Sequence, residues 1–233
     1  MVTMTDMCTQ DEIQHCPWLQ NRRSTRIVLA SASPRRVELL RQVGVPFVQT
    51  VADADESWPE GRTPAEAVVA IAGRKARAVA EDWPDSIIIG ADTAVIIDGA
   101  PLGKPTDDRD AVSMLCRLVG KTHDVITGLA FIDTRGAHVA ESTDAVTTRV
   151  TMRSASEDEL QTYVDTGEPA DKAGAYGIQG FGAGLVTRIS GCYFNVVGLP
   201  ISATIHSLRQ LLQGPPDESS RDAHARWTGD AHD

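Results

Sequence analysis

The sequence predicts an α/β fold, and three observations point to it. The apolar run Ile27-Val28-Leu29-Ala30 passes through a short Ser/Pro turn into Val37, Leu40 and Val43 at helical spacing. A longer apolar run, β-branched and bounded by turn signals, fills residues 87–97 and reads as a strand buried on both faces. Capped helical patterns and further extended segments share the rest of the chain, so strands and helices must pack as mixed layers around a common core.

The run over 87–97 organises the chain. It is interrupted by two small residues, Gly90 and Ala91, and by one carboxylate, Asp92. An ionised acid within a buried strand is costly unless it meets a cation, so Asp92 needs a partner; an aspartate satisfied within a turn is the alternative. Asp98-Gly99 supplies a hairpin turn, and Gly103-Lys104-Pro105 brings a cation that can return toward the same place.

With 233 residues the chain can bury a sizeable core, as one domain or two small lobes. A formal net charge of -10 argues against a nucleic-acid or anionic-membrane partner, because phosphate backbones are held by an excess of Lys and Arg. Any phosphate chemistry must be local. Cys8, Cys16, Cys116 and Cys192 form no CxxC pair and suit reduced cytosolic thiols. No apolar leader and no run near the ~18 residues of a membrane span are present, so a soluble cytoplasmic protein with no membrane partner is expected.

Residues 1–25 lack periodicity and are expected to be a disordered extension; Cys8, His15 and Cys16 fit no zinc spacing. After the first strand, Ser31-Ala32-Ser33-Pro34-Arg35-Arg36 opens a helix, with Ser33 a natural N-cap, Pro34 at the first helical position and Gly44 at its end. Free N–H groups and two arginines at a helix N-terminus just after a strand are the arrangement that binds a phosphate group; a capped helix with solvated arginines is the alternative. Residues 53–56 form an acidic turn. If Glu56 or Asp55 faces Asp92, the carboxylates repel unless a divalent cation joins them, and hard oxygen ligands suit magnesium or manganese.

Thr63-Pro64-Ala65-Glu66 is a capping box opening a helix with the apolar stripe Val68, Ile71, Ala72 and Val79. Lys75 lies on that stripe. Its ammonium either snorkels at the stripe's edge or is held for a phosphate or carboxylate, and the second is favoured because lysine is rarely buried unpaired. Thr106 is expected to cap the next helix, with Asp107 and Asp108 in its first turn, Ala111, Met114, Leu115 and Leu118 on one face, and Gly120 at its end. Gly120-Lys121-Thr122 ends like a P-loop, but Leu115 stands where that motif has glycine and the segment follows a helix instead of preceding one.

Residues 123–132 and 145–152 read as extended, with His123 a structural or surface histidine. Ser156-Glu157-Asp158-Glu159 is another capping box. Residues 171–184 hold five glycines, which permit close backbone approach to a ligand. Leu185 stands where a dinucleotide fingerprint starting at Gly180 needs its last glycine. A flexible linker is one reading; against it, Asp171, Lys172, Tyr176 and Gln179 offer charge, a stacking face and an amide suited to a base edge. Residues 185–189 and 192–197 are expected to form a last hairpin through Ser190-Gly191, and Pro200 to open a final helix with Ile205, Leu208 and Leu212 inward. Residues 214–233 are polar and expected to be a disordered tail.

The ordered set Leu29-Ala30-Ser31-Ala32-Ser33-Pro34-Arg35-Arg36, Gly90-Ala91-Asp92-Thr93, Gly103-Lys104-Pro105, Asp171-Lys172-Ala173-Gly174-Ala175-Tyr176-Gly177-Ile178-Gln179-Gly180 and Gly198-Leu199-Pro200 strongly resembles the Maf family of nucleoside triphosphate pyrophosphatases, over about residues 26–212. The resemblance implies one Maf-like domain over 26–213, with a curved mixed sheet like that of inosine triphosphatases, flanked by helices and divided into two lobes by a central cleft. It implies a cytoplasmic enzyme, commonly a homodimer, that uses a divalent metal (Mg2+ or Mn2+) to cleave a nucleoside triphosphate into monophosphate and pyrophosphate. Tyr176-Gly177-Ile178-Gln179 is similar to the branch acting on dTTP and UTP, with modified pyrimidine nucleotides as further candidates.

Carried over by matching motif, the resemblance implies that Asp92 is the catalytic acid or base and a metal ligand. It makes Glu56 a metal-binding or water-orienting carboxylate. By the same resemblance Ser31, Arg35, Arg36, Lys75 and Lys104 would form the triphosphate cradle, Lys104 counting also as catalytic. Lys172 is expected to bind substrate, and the resemblance implies that Arg35, Thr93 and Gln179 sit where substrate choice is made. The family's link to septum formation keeps a second class open: a nucleotide-binding regulator of cell division with little or no turnover.

Overall fold

A computed structural model describes residues 16–19, 25–136 and 139–213. Its strands are β1 (Arg26–Ala30), β2 (Val48–Thr50), β3 (Ser86–Ile97), β4 (Ala100–Leu102), β5 (Thr122–Asp133), β6 (Ala140–Met152) and β7 (Val186–Ser190). Its helices are α1 (Pro34–Gln42), α2 (Pro64–Ala80), α3 (Asp108–Leu118), α4 (Glu157–Val164), α5 (Tyr193–Val197) and α6 (Ile201–Gln213). The strands make one mixed sheet in the order β2-β1-β3-β5-β6-β7, with β4 paired to β3. β1 runs parallel to both neighbours because helices carry the chain over between them, whereas the remaining pairs are antiparallel. The β3–β4 turn has positive φ at Asp98 (52°) and Gly99 (77°), the backbone a two-residue hairpin requires.

Side-chain alternation along β3 divides the molecule. Ile87, Ile89 and Ala91 pack with Ile27, Leu29, Leu129 and Phe131 against α1 and α6, forming one core. Farther along the same face, Val95 and Ile97 join Val125 and Val150 against α3 and α4, forming a second core. Thr93 lies between the two. On the opposite face Ile88, Ala130 and Ile132 pack under Ala72, Ala76 and Val79 of α2. The architecture is therefore a sheet flanked by helices, with two lobes sharing one long strand.

Two glycines set how closely α2 lies on the sheet. A Cβ at Gly90 would stand 2.1 Å from the Ala72 carbonyl oxygen, and one at Gly128 would stand 2.4 Å from the Val68 carbonyl carbon. Only hydrogen fits at either place.

Several local expectations are corrected. Ser33 precedes α1 but makes no side-chain cap; its N–H donates instead to Ser31 Oγ at 3.2 Å. Asp107, not Thr106, caps α3, accepting from the Asp110 N–H at 2.8 Å, while Thr106 is held by the Asp110 carboxylate. At α4, Ser156 caps through the Glu159 N–H, but the Glu159 carboxylate turns to Arg153, so the box is half made. The last hairpin does not form: β7 pairs with β6, and residues 193–197 are helix α5. A short apolar run can satisfy either period. Here Phe194 and Val197 pack on the first core while Val196 packs on the second, and the Asn195 amide donates to Val125 O and Thr148 Oγ1, both at 2.9 Å.

Within the expected N-terminal extension, Cys16 and Leu19 are buried in the first core. Residues 1–15 and 20–24 of that segment, and the tail from 214, lie outside the described residues. No helix among the described residues is long and apolar enough to cross a membrane.

Candidate active site

A cleft of about 410 Å³ opens where β3 passes from one core to the other. Ser31, Arg35, Arg36, Glu56, Lys75, Asp92, Thr93, Lys104, Lys172 and Gln179 all line it, so the structure brings together every site residue expected from the sequence.

At its base is an acid–base–acid arrangement. The capping box of α2 is complete, Thr63 Oγ1 accepting from Glu66 N and Glu66 Oε2 from Thr63 N, and the helix is pressed on the sheet at Gly90 and Gly128. Lys75, 8% exposed, reaches down so that Nζ lies 2.7 Å from Asp92 Oδ1 and 3.0 Å from Glu56 Oε2. A buried ammonium is tolerated because it is paired. Asp55 is committed elsewhere, to the Ser57 N–H and hydroxyl and to Arg74, so the carboxylate facing Asp92 is Glu56. The two hard carboxylates of Asp92 and Glu56, open to a cleft, have the donor chemistry that would suit a magnesium- or manganese-like cation. No group of three or more His, Cys, Asp and Glu side chains placed to hold a metal ion occurs among the described residues.

Arg36 braces the cleft floor. Nε donates to Gly198 O at 2.9 Å, Nη1 to Ala91 O at 2.9 Å and Ser31 Oγ at 3.2 Å, and Nη2 to Thr93 Oγ1 at 3.1 Å. Burial lowers its pKa, partly offset by the Asp92 charge. One guanidinium thus ties the start of α1, strand β3 and the end of α5 into a single floor, leaving few of its N–H groups for a ligand.

Arg35 crosses the cleft, pairing with Asp171 Oδ2 at 2.8 Å. Burial alone would raise the Asp171 carboxyl, but hydrogen bonds from Lys172 and Arg35 outweigh it and hold it at about 2. Lys172 lines the cleft with its ammonium turned to Asp171 Oδ1 (2.7 Å) and Glu168 O (2.5 Å). Lys104 is exposed, with no ion pair among the described residues; its segment is anchored by the Gly174 N–H donating to Gly103 O. Gln179 is exposed at the rim. Tyr176 differs from expectation: it is 5% exposed and edge-on to His123, whose Nε2 lies 2.7 Å from the phenol oxygen, so it forms wall and not an open stacking face.

Sequence reasoning missed the buried supports. Thr127 bonds Thr93 Oγ1 at 2.9 Å and donates to Asn195 O at 3.2 Å, and Thr127, Thr148 and Asn195 are all fully buried. Thr127 and Thr148 fall at alternate positions of strands as any β-branched residue does, and nothing local marks them.

The family model described as Maf-like protein matches residues 26–211. The chain belongs to the Maf family. This Maf chain is 50% identical over 186 residues to the dTTP/UTP pyrophosphatase of Symbiobacterium thermophilum, covering 80% of the chain and 94% of that protein. It is 48% identical over 186 residues to the dTTP/UTP pyrophosphatase of Desulforamulus reducens (79% and 96% covered). It is 47% identical over 189 residues to that of Pseudoalteromonas translucida (81% and 98% covered). The matched span in the Maf chain contains the whole cleft.

Proposed function

We propose that this protein is a nucleoside triphosphate pyrophosphatase that hydrolyses dTTP and UTP to the monophosphate and pyrophosphate. The observation that carries the reading is the Lys75 ammonium held between Asp92 and Glu56 in a cleft also lined by Arg35, Lys104 and Lys172. The similarity to relatives named dTTP/UTP pyrophosphatases supports the substrate class.

In this reading water adds to the α-phosphorus, the α–β bridging bond breaks, and pyrophosphate leaves. Asp92 presents Oδ1 to Lys75, so Oδ2 is left to accept the proton of the attacking water. Lys75 keeps the two carboxylates from repelling each other, and Lys104 and Arg35 neutralise charge on the departing phosphates. Asp92 and Glu56 are the residues that would hold a divalent cation, Mg2+ or Mn2+, which supplies charge neutralisation on the phosphoryl oxygens. The Gln179 amide offers both a donor and an acceptor to a pyrimidine edge.

The test is pyrophosphate release from a panel of nucleoside triphosphates, canonical and modified, with magnesium, manganese or cobalt. UTP and dTTP are expected to turn over fastest, and chelation of the metal is expected to abolish the reaction. Binding of nucleotide with no turnover above background across the panel would support a regulator in place of an enzyme.

A further inference from the structure

The glycine-rich loop invites reading as a phosphate-binding loop, since successive backbone N–H groups in such loops converge on anions. Here the convergence is already occupied. Glu168, half-buried at the start of a 3-10 turn (Glu168–Asp171), accepts from the Phe181 N–H at 2.8 Å and the Gly182 N–H at 3.0 Å. Its Oε1 also accepts from the Tyr163 hydroxyl at 2.9 Å, and that hydroxyl in turn accepts from the Gly177 N–H at 3.4 Å. Burial by itself would raise the Glu168 carboxyl, but these donors, Gly182 and Phe181 first, hold it below the ordinary range as a carboxylate.

The glycines are shaped to this internal anion. Gly180 has φ +66°, and a Cβ there would stand 2.4 Å from Glu168 Oε2. A Cβ at Gly182 would stand 2.4 Å from Gly177 O and 2.6 Å from the Tyr163 hydroxyl. Gln179 sits inside the segment so folded and faces the cleft. The backbone carbonyl of Glu168 takes the Lys172 ammonium as well, so one residue anchors both ends of the loop.

We infer that Glu168 is a positioning residue: its carboxylate stands where a ligand phosphate would, folds residues 177–182 around itself, and so presents Gln179 to the nucleoside half of the substrate. The inference rests on the proposed reading of the cleft as a nucleotide site. It assigns the loop to recognition of the base, and leaves the phosphates to the cations on the other walls.

The experiment compares full-length wild type with Glu168→Gln, measuring by calorimetry the binding of two probes, a UTP analogue with methylene between the α and β phosphorus atoms and inorganic pyrophosphate. Loss of charge-assisted hydrogen bonds from the loop is expected to weaken the analogue about tenfold and pyrophosphate by less than about twofold. Amide hydrogen exchange at Phe181 and Gly182 is expected to accelerate in the same variant. Tyr163→Phe, which removes one donor and keeps the carboxylate, should shift the analogue in the same direction by less, and serves if Glu168→Gln does not fold. Equal weakening of both probes, or unchanged analogue binding, overturns the inference. A wild type that binds the analogue but does not hydrolyse UTP overturns the proposed activity and leaves the positioning role standing on the binding data; a wild type that binds neither probe overturns both.

Discussion

Gly128 stands directly opposite Asp92 in the β3–β5 register, and its missing side chain lets α2 lie close enough for Lys75 to reach that carboxylate. The Lys75–Asp92 ion pair is therefore set by two strands and a helix at once. Gly128→Ala places a methyl against the Val68 backbone, which must move. The cost is expected to be about 1–3 kcal/mol in denaturant unfolding, the usual range for overpacking. Because Lys75 is carried outward with the helix, kcat/KM for UTP should fall roughly a hundredfold. A variant as active as wild type would show that α2 does not need this approach.

Asp92→Asn keeps the shape and one acceptor but removes the proton acceptor and the charge that pairs with Lys75. Turnover is expected to drop by about 10²–10⁴-fold. Steady-state pyrophosphate release with magnesium is the measurement, and full activity would remove Asp92 from its role.

Arg36→Lys leaves a point charge where a planar fork served four acceptors. Buried acceptors on Ala91 and Gly198 lose their donors, so stability should fall by roughly 2–4 kcal/mol. Arg35→Lys provides the contrast: its pair with Asp171 is partly exposed, so urea unfolding should change by less than about 1 kcal/mol while triphosphate affinity drops.

His123 makes stability depend on pH. Burial pushes its imidazole down to about 4 in the folded protein from an ordinary value of 6.5. Between those values the unfolded chain binds a proton that the native one does not, so stability decreases as pH falls. The loss from this residue is about 3 kcal/mol between pH 7 and pH 4. Urea midpoints measured over that range for wild type and His123→Gln should diverge, with the variant showing the shallower slope.

Much of this arrangement is legible along the chain. The helical stripe put Lys75 inward, the buried run demanded a partner for Asp92, and the turn at Asp98-Gly99 required the β3–β4 hairpin, each from a local period or a local steric rule. Residues 193–197 were not legible, because five apolar-rich residues fit a strand as well as a helix and only the two cores they must fill select the helix. Glycines in residues 171–184 signalled close approach, but not that the approaching group is the chain's own Glu168.

What the sequence by itself determined is most of the elements, residues 193–197 excepted, the mixed α/β class, the motif order and the residue types available for phosphate chemistry, because capping, turn geometry and apolar periodicity act within a few residues. Only the tertiary structure decided that Glu56 and not Asp55 meets Lys75, that Arg36 braces the floor, and that the Phe181 and Gly182 N–H groups are taken by Glu168. Those outcomes depend on which groups, distant along the chain, compete for the same buried donor or acceptor, and that competition exists only once the sheet has brought them together.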